Sequence, residues 1–474
     1  MEQISCQVLV VGAGPGGYVA AIRAAQLGLD TVIVEGDKAG GTCLIRGCIP
    51  SKAIIHAADK FEALKSHHEG HMGLKIDGDV SINMSDLVDW KNNIVQKLNK
   101  GVEALLKGNG ARLVKGWANF LDGKTCNVTD SNGNKVAHIT TENVILATGS
   151  KPIELPFMPF DEKYVISSTG ALDLDELPDK IAVIGGGYIG LELGCALRKL
   201  GVEITVIEGL ENIASIFDDE LRRPLERWLK KNSVKVLTNC LAKGVEIIEE
   251  GVELSWTNAE GEVKSEIFDK VLVTVGRKPN VQGWGIEEMG IKFDNEGRFV
   301  AVDSKCHTNM RGVYAIGDLV GEPMLAHKAS AQGEMVAEII SGQKRDFDPV
   351  AIPAIVFTEP EIITVGMTQL EAESEGEKVI VGKFPLAANG RALTLEAEKT
   401  GGFVRVVARK SDHVILGIQA VGSHIAELSG AFVLALEMGA LLEDISGTIH
   451  AHPTMSESFH EAVLKTLGHG IHSL

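Results

Sequence analysis

The chain has no apolar run long enough to cross a bilayer. A spanning helix needs about 20 apolar residues, whereas the longest late stretch, Ala431 to Leu442, is short and carries Glu437. Nor is there a basic stripe. Lys and Arg number 46 against 64 Asp and Glu, for a formal charge of −18, so neither nucleic acid nor a membrane surface is an expected partner, because binding either depends on clustered cations. The first residues, Met1-Glu2-Gln3, lack the positive region of a secretory signal, and a cytoplasmic location is the expectation. Cysteine is sparse. Of seven, Cys6, Cys126, Cys195, Cys240 and Cys306 stand alone, which argues against the twice-occurring short pairs of a zinc site. No metal is expected.

The other two cysteines are set five apart in Gly40-Gly41-Thr42-Cys43-Leu44-Ile45-Arg46-Gly47-Cys48-Ile49-Pro50-Ser51-Lys52. A bridge between them closes so small a loop that its entropic contribution to stability is minor. In a reducing compartment such a pair is more often catalytic than structural. Its place directly behind a dinucleotide fingerprint suggests a disulfide that exchanges electrons with a bound cofactor.

That fingerprint occurs twice. Val11-Gly12-Ala13-Gly14-Pro15-Gly16-Gly17 leads on to Glu35-Gly36, and Ile184-Gly185-Gly186-Gly187-Tyr188-Ile189-Gly190 to Glu208-Gly209, at a constant offset of 173 residues. In each copy a strand (7–11; 181–184) meets G-x-G-x-x-G, then a helix ending in Leu-Gly, then a second strand ending in an acid. This is the context a dinucleotide site requires: glycines let the backbone approach a pyrophosphate at a helix N-terminus, and the carboxylate takes the ribose hydroxyls. Two copies imply two dinucleotides. Glu208 repels a 2′-phosphate, so the second site reads as one for NAD.

At 474 residues the chain has material for two to four domains. Apolar runs halt at glycine again in Ala147-Thr148-Gly149, Val275-Gly276-Arg277 and Ile316-Gly317-Asp318, as at the carboxyl edge of an open α/β sheet. Turn residues such as Asp130-Ser131-Asn132-Gly133 predict a small β-meander within 114–143. After Asp346, alternation at 403–407 and 414–418 predicts an antiparallel sheet, and 425–442 reads as helical. The run His450-Ala451-His452-Pro453-Thr454-Met455-Ser456-Glu457 places a proline at a turn or helix entry, with Ser456 or Thr454 as a cap and Glu457 able to reach back to an imidazole. A carboxylate on one ring nitrogen fixes the tautomer and makes the other a better base. By itself His-x-His suits a general base, a metal half-site or a capping pair.

In their order and combination these motifs resemble the flavin-dependent disulfide oxidoreductases nearly end to end, most closely the members that oxidise protein-bound dihydrolipoyl groups. The resemblance implies an α/β fold with two Rossmann-like dinucleotide-binding domains, for FAD and NAD, and a C-terminal α+β dimerisation domain. The corresponding division is 1–150 for FAD, 151–275 for NAD, 276–346 for a central domain completing the FAD site and 347–474 for the interface. Gly12, Gly14, Gly17 and Glu35 are implied to hold the adenosine half of FAD, with Thr42, Lys52, Gly116, Gly149, Asp318 and Ala326 as further contacts and Lys52 paired with Glu192 near the flavin. Gly185, Gly187, Gly190, Glu208 and Gly276 are implied to line the NAD site. Cys43 resembles the interchange thiol, Cys48 the charge-transfer thiol, and His452, oriented by Glu457, the base that acts across a homodimer interface. Lipoyl domains and the E2 core of a 2-oxoacid dehydrogenase complex are the implied partners, and Phe384-Pro385-Leu386-Ala387-Ala388-Asn389-Gly390-Arg391 resembles the bacterial branched-chain form. An NAD(P)H-dependent reductase of the glutathione reductase type is the alternative. Ile45-Arg46 departs from the family's usual pattern; Arg46 either shifts the Cys48 thiolate and the disulfide potential, or faces solvent or an acid.

Overall fold

Val8-Leu9-Val10-Val11, Thr31-Val32-Ile33-Val34 and Val144-Ile145-Leu146 are uninterrupted apolar runs rich in β-branched residues, the composition of parallel strands covered on both faces. The structure, a computed structural model, describes residues 1–67 and 71–473. These fall into two compact units, 1–177 with 275–348 and 178–274 with 349–474.

In the first unit parallel strands lie in the order Arg112–Lys115, Thr31–Glu35, Glu2–Val11, Lys135–Leu146, and Val313–Ala315 joins the last of them. Val11 pairs with Val34 and Leu146, and Leu146 with Ala315. The chain therefore leaves several strands at one sheet edge, carrying Gly12, Glu35, Ala147 and Ile316 there together. The expected meander is present as Trp117–Phe120, Thr125–Thr129 and Lys135–Leu146, but its last strand runs on into the parallel sheet. Core residues fill both faces of that sheet, Leu9, Phe120 and Leu146 on one, Val10, Ile33 and Ile145 on the other, as the strand alternation requires.

The second unit repeats the arrangement with Lys235–Leu237, Glu203–Ile207, Lys180–Ile184 and Lys270–Val273, in which Ile184 pairs with both Ile207 and Val273. A three-stranded antiparallel sheet, Leu241–Ile248, Gly251–Thr257 and Val263–Phe268, is appended. Its C-terminal stretch forms an antiparallel sheet in the order Ala354–Val356, Glu361–Gly366, Ile415–Gly422, Phe403–Arg409, Val379–Pro385. Phe432 and Phe459 meet edge to face at 5.1 Å in its core. Buried Arg405 on this sheet bonds Asp218 and Glu220, and buried Lys199 bonds Glu359 at 2.8 Å. These pairs tie the two chain stretches of the unit together.

One expectation needs correction. The 425–442 segment is not one helix: Ser429–Glu437 is capped at Met438, Gly439 sits at φ +60° and Leu442–Gly447 starts anew. A left-handed glycine ends a helix at little steric cost, and the apolar periodicity on either side hides the break. Among the described residues no helix is long and apolar enough to cross a membrane.

Candidate active site

Two left-handed glycines deliver the cysteine pair to the first fingerprint loop. Gly40 (φ +112°) donates its N–H to Ala13 O at 2.7 Å, and a Cβ on Gly41 (φ +60°) would fall 2.4 Å from Gly14 Cα. The chain then enters the short helix Gly41–Arg46, breaks at Gly47 and continues as Cys48–His67. Cys43 and Cys48 are joined in a disulfide across this break, with Cα atoms 4.6 Å apart. Cys43 is half-buried and Cys48 exposed, and Lys52 lies one turn beyond Cys48 on the same helix. Arg46 pairs with Asp37, nine residues before it.

The two fingerprints are built alike. In each, the first glycine is left-handed (Gly12, φ +96°; Gly185, φ +98°), and a Cβ on the third would strike its carbonyl, 1.8 Å for Gly17 on Gly12 O and 2.5 Å for Gly190 on Gly185 O. These glycines are required by the turn and by helix-on-strand packing. The middle glycines differ. Gly14 and Gly187 are N-caps of Pro15–Gln26 and Tyr188–Leu200 with no capping side chain. A Cβ on Gly187 would meet nothing within 4 Å, and on Gly14 only Gly41 Cα at 3.9 Å. Uncapped helix N–H groups facing such space fit a pyrophosphate. Each acid braces its own loop: Glu35 accepts the Ala13 and Asp37 N–H groups at 2.7 and 2.9 Å, and Glu208 those of Gly186 and Leu210 at 2.6 and 2.8 Å. Burial pushes the Glu35 carboxyl above the usual carboxylate range, against the opposing pull of the Ala13 N–H, Arg46 and the Gly36 N–H.

Asp318 opens the 3-10 turn Gly317–Val320 at the same edge of the first unit. Its carboxylate accepts the Ser150 hydroxyl, and Arg277 Nε donates to Ser150 Oγ at 2.8 Å. Gly149 (φ +68°) turns the chain into this relay, and Gly276 (φ +115°) accepts the Ile153 N–H at 3.0 Å beside it. Gly116 donates to Glu35 O at 2.9 Å, and Ala326 begins the helix Ala326–Ile340, again with no capping side chain. Ser150 and Arg277 escape sequence reasoning as a pair, because 127 residues separate them.

In the second unit His452 Nδ1 meets Glu457 Oε1 at 2.9 Å, and Glu457 Oε2 accepts the Thr454 N–H at 2.8 Å. The imidazole is 78% exposed and its carboxylate only 26%, leaving Nε2 toward solvent. Burial raises the Glu457 carboxyl, but the Thr454 N–H and His452 outweigh it and leave it below the usual carboxylate range. Neither Ser456 nor Thr454 caps the helix Glu457–Thr466 through its side chain. Their hydroxyls bond each other at 2.7 Å, and the carboxylate occupies the turn instead. A further support comes from buried Asn389, whose Nδ2 donates to Ser458 Oγ at 2.8 Å and Thr454 O at 3.2 Å. Glu192, expected opposite Lys52, accepts the Phe357 N–H at 2.9 Å. The other cysteines are buried and free, and burial pushes the thiols of Cys126, Cys195 and Cys306 up to about 12. Such thiols are inert at neutral pH.

Comparison with known proteins agrees with this geometry. Residues 6–333 match the family described as pyridine nucleotide-disulphide oxidoreductase, and residues 352–463 match its dimerisation domain. Dihydrolipoyl dehydrogenase of Pseudomonas aeruginosa is 51% identical over the whole of both chains, and that of Geobacillus stearothermophilus 48% identical over 99% of this chain and 98% of its own. Among solved structures, LpdA from Mycobacterium tuberculosis superposes with a TM-score of 0.89 at 26% identity, covering 98% of this chain and 99% of that one. The HOCl-induced flavoprotein disulfide reductase RclA from Escherichia coli shares the fold at a TM-score of 0.84 and 24% identity, over 96% of this chain and 99% of that one. The chain belongs to the pyridine nucleotide-disulphide oxidoreductase family, among its dihydrolipoyl dehydrogenases.

Proposed function

We propose that this chain oxidises protein-bound dihydrolipoyl groups to lipoyl in the cytoplasm, as the E3 component of a 2-oxoacid dehydrogenase complex, with the branched-chain complex as one candidate. The observation that carries the reading is the Cys43–Cys48 disulfide set against the first dinucleotide loop through the Gly40–Ala13 hydrogen bond. FAD and NAD are the cofactors. Gly12, Gly14, Gly17, Glu35, Thr42, Lys52, Gly116, Gly149, Asp318 and Ala326 would hold the flavin nucleotide, and Gly185, Gly187, Gly190, Glu208 and Gly276 the nicotinamide nucleotide, the divisions at 150, 275 and 346 bounding the domains. When bound, the pair supplies the onward two-electron chemistry that delivers reducing equivalents as NADH.

The chain's own residues perform the exchange. His452, its tautomer fixed by Glu457, takes the proton of one dihydrolipoyl thiol at Nε2. The resulting thiolate attacks Cys43 Sγ, the Cys43–Cys48 bond breaks, and Cys48 leaves as a thiolate. The second substrate thiol then displaces Cys43, so lipoyl departs as a disulfide and two electrons remain on the cysteine pair. The dimerisation-domain match supports a homodimer, and His452 serves the disulfide of the partner subunit. Turnover of free dihydrolipoamide with NAD+ by wild type and Cys43→Ser tests the reading. Activity in the first and its loss in the second, with flavin retained, are expected. Reduction of glutathione disulfide with NADPH, without dihydrolipoamide turnover, would replace it with the glutathione reductase type.

A further inference from the structure

The loop that carries His452 is held at a second point, by a side chain the exchange chemistry does not use. From Gly447 to Pro453 every residue is exposed except His450, and Ile449 reaches 97%. The His450 ring lies on that of His460, with centroids 4.8 Å apart and planes inclined by 29°, a stacking geometry for aromatic rings. Both rings are also bonded to the turn that starts the loop, His450 Nδ1 to Thr448 O at 2.9 Å and His460 Nε2 to Ser446 O at 3.2 Å. A carbonyl can only accept, so each of those nitrogens carries a proton. His450 Nε2 and His460 Nδ1 are left as the positions at which a further proton adds. His460 belongs to the helix Glu457–Thr466, which Phe459 anchors in the core against Phe432. The loop is thus fastened to one helix twice, by the stack at His450 and, two residues later, by Glu457 at His452.

A stacked pair tolerates one positive charge and is opposed by two. Among the described residues no carboxylate of the adjoining elements bonds either ring. Glu443 is engaged by His413, Asp444 by the Leu441 N–H, Glu457 by His452 and Thr454, and Glu461 by His472. The cations of the strands packed on the helix, Lys383 and Arg405, are bonded to Glu220 and to Asp218 and Glu220, and Lys465 stands in the last turn of the helix itself.

We infer that the stacked His450 and His460 are positioning residues for His452, and that the stack holds the loop only while at least one of its rings is uncharged. The inference rests on the reading of His452 as the base and adds a second proton dependence to it. One proton on His452 removes the base. A charge on both rings of the stack sets two cations face to face, parts them and leaves Glu457 as the one remaining anchor of His452. Acid therefore disables the exchange at two places, the base and its support.

The test is kcat/KM for dihydrolipoamide at saturating NAD+ as a function of pH, which reports the groups of the free enzyme. Imidazoles titrate between about pH 5 and 8, while Glu457, held below the usual carboxylate range, stays ionised there. In wild type, log(kcat/KM) is expected to fall on the acid side with a slope that passes one and approaches two. His450→Phe and His460→Phe each keep a ring to stack on and remove one of the two charges, so both are expected to retain activity at pH 8 and to fall in acid with a slope of one. His450→Ala removes the stack and is expected to lose about tenfold at pH 8, less than the ~100-fold that a misplacement of about 1 Å can cost, because the Glu457 bond remains. Flavin reduction by NADH, which needs no thiol base, should be unchanged in all three. A wild-type slope of one, or a slope of two kept in both Phe variants, would overturn the inference and leave His452 as the base. Full activity in His452→Gln would instead overturn the base reading, and the role of the stack with it.

Discussion

Replacing Glu457 by Gln removes one charge and one acceptor from the pair that orients His452. The carboxylate accepts two bonds at once, from His452 Nδ1 at 2.9 Å and the Thr454 N–H at 2.8 Å. Glutamine has one acceptor oxygen, so its NH2 must face one of those donors, and either the imidazole or the turn after Pro453 loses its anchor. A hydrogen bond to a charged group contributes about 1.5–3 kcal/mol. With the imidazole 78% exposed, screening favours the lower end, which corresponds to about a tenfold loss in kcat/KM for dihydrolipoamide. The assay is steady-state NADH formation at saturating NAD+, with the visible flavin spectrum as a check on the bound cofactor. Glu457→Asp, which keeps the charge but shortens the reach, is expected to fall between the two. A kcat/KM within twofold of wild type in Glu457→Gln, flavin intact, would refute the positioning argument.

Other consequences are as concrete. Because Glu457 sits below the usual carboxylate range, the stability it contributes is present above its unfolded value and is lost as pH falls through the folded one; the melting-temperature gap between wild type and Glu457→Gln should be level near neutrality and close in acid. Asn389→Ala removes the buried donor to Ser458 and Thr454 and should lower kcat/KM for dihydrolipoamide several-fold without releasing FAD. Gly17→Ala, whose Cβ would lie 1.8 Å from Gly12 O, should abolish folding of its unit, whereas Gly187→Ala meets nothing within 4 Å and should raise the KM for NAD+ at an unchanged melting temperature. Thiols pushed up to about 12 by burial are about 10⁻⁴ ionised at pH 8, so Cys126, Cys195 and Cys306 should resist a thiol reagent, and dihydrolipoamide reduction should expose two reactive thiols per chain. Mixed dimers of Cys43→Ser and His452→Gln subunits, each inactive alone, should regain about a quarter of wild-type activity, since half the dimers then hold one intact pair across a twofold interface; no recovery would place base and disulfide in the same subunit.

Much of the site was legible because backbone constraint writes itself into sequence as glycine. Gly12, Gly17, Gly185 and Gly190 mark a turn and a helix–strand contact that no side chain tolerates, and their spacing to Glu35 and Glu208 survives as a linear offset. Glu457 lies five residues from His452, near enough for the turn between them to be read directly. What was not legible lies in pairs joined only by folding. Arg277 reaches Ser150 from 127 residues away, and Asn389 reaches Thr454 from 65; a serine after a glycine or an asparagine in a loop carries no local mark of either role. The break at Gly439 was missed for the opposite reason, a local signal outvoted by apolar periodicity. Nor did the sequence mark Asp37 as the partner of Arg46, nine residues later.

The most direct test of the account is an anaerobic titration of the purified protein with dihydrolipoamide, followed in the visible spectrum, with NAD+ and NADP+ then added separately. The account predicts a yellow protein that takes up two electrons per chain, gains long-wavelength absorbance as the Cys48 thiolate forms, and is discharged by NAD+ but not NADP+. A Cys43→Ser protein that responds to dihydrolipoamide as wild type does, or a wild type that bleaches with NADPH and ignores dihydrolipoamide, would contradict it.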